Sequence, residues 1–295
     1  MENEAAESRD ELETFLTDVR ELMVESLGDT PIGQLVNGSK GMVGSGKLLR
    51  SRMAFRLLKA SPASRISLVH AAAAVEMIHA ASLLHDDVID GGIVRRSAPT
   101  FWVKSGIPGA ILLGDLLLFK ALDITCQVEG GRLTHTLVKM TGEVCEAEAE
   151  QELILRGTRS TWENCVRIAR CKTGALFAFI GHACGGDDAA LQAALQEAGY
   201  SIGTAYQISD DLLDVNGSEE DAGKTLGTDE ARNKTTAANL GPAEFGDPVA
   251  FIEDLTTQAT SSLSAWPRIQ EAWSFFVETD IQPTLDKHIK ILANI

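Results

Sequence analysis

The sequence sets three aspartates into five positions directly after an apolar stretch, LLHDDVID at 83–90, and then does so again as QISDDLLD at 207–214. At an effective dielectric of about 20, two unit charges about 4 Å apart repel by about 4 kcal/mol, so facing clusters oppose folding unless cations lie between them. On a helix, Asp86 and Asp90 sit one turn apart, and Asp87 is offset by about 100°, so all three can reach a common ion. Asp210, Asp211 and Asp214 repeat that geometry, and Gln207 extends the row.

Neither cluster includes a ligating Cys or His, and an oxygen-only donor set points to Mg²⁺ rather than zinc. Mg²⁺ commonly completes its shell with waters and phosphate oxygens. Below Asp90 and Asp86 come Ser82, Ile78 and Ala74 at steps of four, and below Asp211 come Gln207, Gly203 and Gly199. Both clusters thus crown long apolar rows. The expectation is a metal and phosphate site at the mouth of a partly hollow shaft, taking a ligand with a diphosphate head and a hydrocarbon tail.

Helical spacing dominates the rest of the chain. Leu12, Phe15, Leu16, Val19, Leu22, Met23 and Leu27 form one amphipathic face that stops near Gly28. Further helices are predicted over 48–59, 66–89, 107–128, 132–156, 161–184, 189–215, 248–264 and 267–293, and alternating strand patterns are scarce. Small residues cluster inside HAAAAVEMIHAAS (70–82) and AGYSIGTAYQ (198–207), where they allow close helix contact or leave space. The fold class is all-α: a single-domain bundle over 1–295 around a deep central cavity. Two loops, 37–46 and 216–235, are long enough to suggest function.

With 42 acidic against 26 basic residues the net charge is −16, which argues against nucleic acid and against docking on anionic lipid. Cysteines 126, 145, 165, 171 and 184 are odd in number and show no Cys-x-x-Cys pair, so a disulfide framework or zinc site is not indicated and a reducing cytoplasm is expected. MENEAAESRDELE lacks the basic and apolar regions of a signal peptide. The greasiest segment, 107–119, is interrupted by Asp115 and too short to span a bilayer.

Phosphate needs cations, and the scarce basic residues recur near the clusters: Lys47 and Arg50 after the glycine loop, Arg95 and Arg96 after the first cluster, Lys172 in CKTGALF, and Lys224 and Lys234 after the second cluster. Any one of them is more often a surface cation; their order around the clusters gives them weight.

The pieces GKLLR (46–50), EMIHAASLLHDDVIDGGIVRRSAPT (76–100), LLGD (112–115), CKTGALF (171–177), YQISDDLLD (206–214) and GKTLGTD (223–229) resemble the trans-prenyl diphosphate synthase family, the polyprenyl synthetases, over roughly residues 40–236. The resemblance implies an isoprenoid-synthase type bundle, a homodimer, and condensation of isopentenyl diphosphate with an allylic prenyl diphosphate. It implies that Asp86, Asp87, Asp90 and Asp210 hold Mg²⁺ on the allylic diphosphate with Asp211 and Asp214 assisting. Arg95, Lys172, Thr173, Gln207, Lys224 and Lys234 would steady that substrate, and Lys47, Arg50, His79 and Arg96 would receive isopentenyl diphosphate. The catalytic set is then Asp86, Asp87, Asp90, Asp210, Lys172 and Arg95. An isolated histidine on an apolar helix is usually a core residue, but His79 lies on nearly the face of Asp86 and about 10 Å deeper; His85 reads as structural.

Departures from the family pattern are Leu48 and Ser51 near GKLLR, Asn233 where glycine is common, and a C-terminal 50 residues without the basic tail. Ala81 and Ser82 lack the aromatic bulk that short-product members often place ahead of the first cluster, which favours a product of C20 or longer, although Phe119, Phe177 and Phe179 can form a floor. A class I terpene cyclase is disfavoured by DDLLD, and a non-catalytic partner subunit by the presence of every key aspartate and cation. GMVGSGKL (41–48) approaches a P-loop but has Leu48 at the Ser/Thr position and no preceding strand. The glutamates of EVCEAEAEQE (143–152) are expected to form a solvated helix face.

Overall fold

Apolar positions at helical spacing become helices almost wherever they occur in the computed structural model. It describes residues 2–28, 30, 32, 44, 46–95, 97–158, 161–216, 240 and 247–293, with only the backbone described at the helix ends 2–8, 214–216 and 289–293. In chain order the helices are α1 (Glu2–Gly28), α2 (Leu49–Leu58), α3 (Arg65–Ile89), α4 (Phe101–Cys126), α5 (Arg132–Glu150), α6 (Trp162–Ala169), α7 (Ala175–Cys184), α8 (Ala189–Asn216), α9 (Pro248–Ser261), α10 (Pro267–Phe276) and α11 (Gln282–Ala293). Wider π-type turns follow α5 over Gln151–Leu155, join α6 to α7 over Arg170–Gly174, and join α10 to α11 over Val277–Ile281. Among the described residues the strands are one antiparallel pair, β1 (Val94–Arg95) against β2 (Ala98–Pro99).

Local chemistry sets the boundaries. Ser64 accepts a hydrogen bond from the Ser67 N–H at the start of α3, 3.1 Å. Asp247 accepts from the N–H groups of Val249 and Ala250 at the start of α9, where Pro248 takes the first helical position. α4 begins six residues earlier than the sequence predicts, at Phe101 rather than 107. Gly106, at φ 77°, breaks the helix there, and Pro108 opens the second segment. Trp102 Nε1 holds the extra turn by donating to the Gly92 carbonyl at 2.7 Å.

One apolar core runs from Leu12 to Leu285, and α3 is packed by α1, α2, α4 and α7. By length and composition α3 also passes for a membrane span, yet 67% of its most apolar window is buried inside the protein. All five cysteines are free.

The direction of three helices decides where the aspartates meet. Ser61, just before α3, donates to the carbonyl of Cys184 at the end of α7, whereas Lys172, just before α7, faces Asp86 near the end of α3. α7 therefore runs antiparallel to α3. Gln192 near the start of α8 donates to Gly186 just past α7, and Thr173 just before α7 donates to Gln207 late in α8. α8 is thus antiparallel to α7 and parallel to α3, and both aspartate clusters arrive at the same end of the bundle.

The glycines of α7 and α8 serve contact, which corrects the expectation that Gly203 and Gly199 line a hollow row. A Cβ on Gly199 would come within 2.6 Å of the Phe177 carbonyl oxygen, and one on Gly203 within 2.6 Å of the Gly174 Cα. Backbones touch along that seam. Ile78 and Ala74, two and three turns below Asp86, are likewise buried.

Candidate active site

Lys172 and Thr173 sit in the π-type turn ahead of α7, and each faces one aspartate cluster. On one side Lys172 Nζ pairs with Glu148 Oε1 of α5 and lies 3.8 Å from Asp86 Oδ2. On the other, the Thr173 hydroxyl donates to Gln207 Oε1 at 2.5 Å, and Gln207 Nε2 donates to Asp211 Oδ1 at 2.7 Å. A wide turn inside an otherwise helical stretch exposes two neighbouring side chains to two different partners. Burial alone pulls the Lys172 ammonium down, but Asp86, Glu148 and Asp90 outweigh it and hold the group well above the ordinary lysine range.

The three aspartates of the first cluster do different things. Asp86 and Asp90 are half-buried, and the backbone N–H of Asp90 closes α3 on the Asp86 carbonyl at 2.7 Å. Asp87 is buried and accepts from Arg95 Nε of β1 at 2.8 Å, with Asp86 and Asp90 close enough to act on its charge. Burial raises the Asp87 carboxyl above its usual range, and Arg95 offsets part of that rise. The turn carrying Arg95 is itself fixed where the Thr100 hydroxyl and Trp102 Nε1 both donate to the Gly92 carbonyl.

The start of α2 supplies the second group of cations. Leu48 adopts a left-handed conformation (φ 47°, ψ 44°), a strained state for a branched side chain, and this sharp entry presents Lys47 and Arg50 on the same end of the bundle. Burial lowers the Lys47 ammonium pKa, Asp210 pushes it back up, and Lys287 of α11 lowers it. Its Nζ also donates to the Thr284 hydroxyl at 2.9 Å. Arg50 is buried with its guanidinium 5.1 Å from the Phe177 ring centroid, and burial depresses its pKa against the pull of Glu76. Among the described residues Arg50 Nε is a buried donor without a hydrogen-bond partner. Such a group costs stability until an acceptor arrives.

His79 is half-buried on α3, seven residues before Asp86. His85, expected to be structural, places Nε2 3.3 Å from the Ile111 carbonyl and 3.4 Å from Asp115 Oδ1. A Cβ at Gly114 would strike that ring at 2.2 Å, which accounts for the glycine in LLGD. Arg96, Lys224 and Lys234, and the side chain of Asp214, lie outside the described residues, as does most of the two long loops.

Sequence reasoning missed four participants. Glu148 reads from the sequence as part of a solvated face, but its side chain is 17% exposed and sits on Lys172. Glu76 lies behind Arg50 and accepts from the N–H and hydroxyl of Ser51 at 3.3 and 3.2 Å. Thr284 and His288 come from the C-terminal helix: Thr284 meets Lys47, and His288 Nδ1 lies 2.8 Å from the buried Ser209 hydroxyl beside the second cluster. Phe119 points outward, 71% exposed, while Phe177 and Phe179 are buried.

Among the described residues no three Asp, Glu, His or Cys side chains close into a preformed metal cage. The donors still fit a hard divalent ion, because Asp86, Asp90 and Asp210 are half-buried carboxylates whose oxygens suit a cation that keeps waters and phosphate oxygens in its shell. Lys172 supplies the positive charge beside Asp86.

The chain is similar to known proteins in sequence and in fold. A family model described as polyprenyl synthetase matches residues 34–269. An octaprenyl diphosphate synthase of Haemophilus influenzae is 31% identical over 230 residues, covering 77% of this chain and 69% of that one. A geranylgeranyl diphosphate synthase of Methanosarcina mazei is 34% identical over 173 residues, 56% of this chain and 53% of that one. The crystal structure of a polyprenyl synthase from Caulobacter crescentus CB15, complexed with calcium and isoprenyl diphosphate, has the same fold, with a TM-score of 0.79 at 24% identity over 92% of this chain and 98% of that one. With paired aspartate clusters at one end of an all-α bundle and a family match across residues 34–269, the chain belongs to the polyprenyl synthetases, the trans-prenyl diphosphate synthase family.

Proposed function

We propose that the protein is a Mg²⁺-dependent trans-prenyltransferase that joins isopentenyl diphosphate to an allylic prenyl diphosphate and releases a linear polyprenyl diphosphate. The observation that carries this reading is the single turn at Lys172–Thr173, which has Asp86 on one side and Gln207 with Asp211 on the other. Asp86, Asp87, Asp90, Asp210, Asp211 and Asp214 are the candidate metal ligands, and Mg²⁺ bound there supplies positive charge to the diphosphate oxygens. Lys172 and Arg95 stabilise the diphosphate as it leaves with the bonding electrons, and Thr173, Gln207, Lys224 and Lys234 steady it. Lys47, Arg50, His79 and Arg96 orient isopentenyl diphosphate, with Arg50 Nε offering its unmatched donor. The allylic carbon bonds to the terminal alkene carbon, which leaves a tertiary cation at the other alkene carbon. The CH2 next to that cation then loses a proton to form the new double bond, with the released diphosphate as its acceptor. Apolar packing around the rim keeps water from trapping the cation.

A product of C20 or longer is supported by the small side chains of Ala81 and Ser82 and by the outward direction of Phe119. We further infer a homodimer: Ile107, Ile111, Leu112 and Phe119 leave an exposed apolar stripe along α4 that a second copy would cover. One catalytic domain over 1–295 is supported by the continuous core, and a cytoplasmic setting by the five free cysteines.

The test is to incubate purified protein with Mg²⁺, isopentenyl diphosphate and separate C5, C10 or C15 allylic primers, and to weigh the products. Linear chains of C20 or more are expected. Failure to elongate any primer would sink the reading in favour of a non-catalytic subunit, and a cyclic hydrocarbon from one primer alone would favour a terpene cyclase.

A further inference from the structure

Lys172 has two carboxylates within reach and holds them unequally. Its ammonium is in close contact with Glu148 Oε1, whereas Asp86 Oδ2 is 3.8 Å away, beyond an ordinary hydrogen bond. The three residues come from three separate elements: Glu148 from α5, Lys172 from the turn before α7, and Asp86 from α3. Neither member of the tight pair is freely solvated, with side-chain exposures of 17% for Glu148 and 25% for Lys172. A sheltered pair restrains a lysine far more than a surface pair does.

The consequence lies in what Lys172 would do without Glu148. A lysine side chain is long and flexible, and its ammonium moves to the nearest uncompensated anion. Here that anion is Asp86, an oxygen donor needed for the divalent ion. An ammonium closed onto Asp86 would occupy the carboxylate and leave the position from which it can meet a phosphate oxygen.

We propose that Glu148 is a positioning residue for diphosphate binding: it anchors Lys172 away from Asp86, so that Asp86 stays open to a divalent ion and the ammonium stays open to phosphate. This rests on the reading of Lys172 as a diphosphate-binding cation. Glu148 is an anion beside an anion site, so a purely electrostatic view expects its removal to tighten diphosphate binding. The positioning role has the opposite sign.

The experiment is a double-mutant cycle read by calorimetric binding of inorganic pyrophosphate in the presence of Mg²⁺, together with steady-state kinetics. Glu148→Gln is expected to weaken pyrophosphate binding about fivefold and to raise KM for the allylic diphosphate by a similar factor with a smaller change in kcat, the scale of one ordinary hydrogen bond. Glu148→Asp is expected to recover part of the loss. On a Lys172→Ala background Glu148→Gln should change nothing further, with thermal melting confirming that each variant is folded. Unchanged or tighter pyrophosphate binding in Glu148→Gln overturns the proposal, as does a loss that persists without Lys172. If Lys172→Ala itself binds pyrophosphate like the unmodified protein, the role of Lys172 in the proposed function fails as well; if Lys172→Ala is weak and Glu148→Gln is not, only the positioning role fails.

Discussion

Lys47 Nζ donates to the Thr284 hydroxyl across 2.9 Å, tying the entry to α2 to the last helix of the chain. The contact fixes one end of a lysine that Asp210 also attracts. Thr284→Val removes the acceptor while keeping the shape of the side chain. It is expected to raise KM for isopentenyl diphosphate about fivefold, the equivalent of one ordinary hydrogen bond, with kcat little changed. Thr284→Ser should restore the original value in the same steady-state assay, and a Val variant with unaltered KM would remove α11 from the site.

Asp280 anchors the same region from below. Its side chain, 4% exposed, accepts from Arg56 Nε at 2.8 Å and from Arg52 Nη1 at 3.2 Å, and Arg52 Nε also donates to the Lys47 carbonyl at 2.9 Å. Two guanidiniums would be left without their carboxylate in Asp280→Ala. That variant should lose about 3–5 kcal/mol of unfolding free energy in denaturant titrations, the usual cost of breaking a buried pair. Arg52→Ala, whose side chain is more exposed, should lose about 1 kcal/mol or less.

These two contacts mark where the sequence stops being legible. The helices follow from apolar spacing because burial of one face is a local pattern, and the two aspartate clusters declare themselves by repetition. Thr284 and Asp280 belong to no motif; only tertiary packing brings them to Lys47 and Arg56. Glu148 is hidden among similar glutamates, and the π-type turn under Lys172 selects it. Gly199 and Gly203 carry two meanings in the sequence, since a small residue can line a cavity or admit a neighbouring backbone, and the seam between α7 and α8 decides for contact. Phe119 is ambiguous for the same reason: an aromatic on an apolar helix signals burial without saying whether the cover comes from this protomer or another.

The glycine seam gives a paired prediction. Gly203→Ala would push a methyl group within 2.6 Å of the Gly174 Cα, and backbone cannot swing aside as a side chain can. Overpacking of this kind costs about 1–3 kcal/mol and should separate Gln207 from Thr173, lowering activity as well as melting temperature. Gly142 is the contrast on the same bundle, since a Cβ added there would meet nothing within 4 Å. Gly142→Ala should gain about 0.5–1 kcal/mol from helix propensity alone, with activity retained.

A pH effect is expected far from the aspartates, at His182 in the last turn of α7. The ring is half-buried with Nε2 3.2 Å from the Thr136 hydroxyl. Burial lowers its pKa, a hydrogen bond with Gln196 and the charge of Glu129 oppose that fall, and Lys139 reinforces it. The folded value therefore lies below the unfolded one of about 6.5, and the fold prefers the neutral ring. Stability from this preference is fully present above about pH 6.5 and is lost as pH falls through the folded value, because protonation then favours the unfolded chain. His182→Gln keeps a hydrogen-bonding side chain but cannot titrate. Urea unfolding of both proteins from about pH 7.5 down to about pH 5 should show the stability advantage of the histidine protein shrinking in acid, whereas an advantage that stays constant or grows would mean that His182 is not the neutral, buried group described.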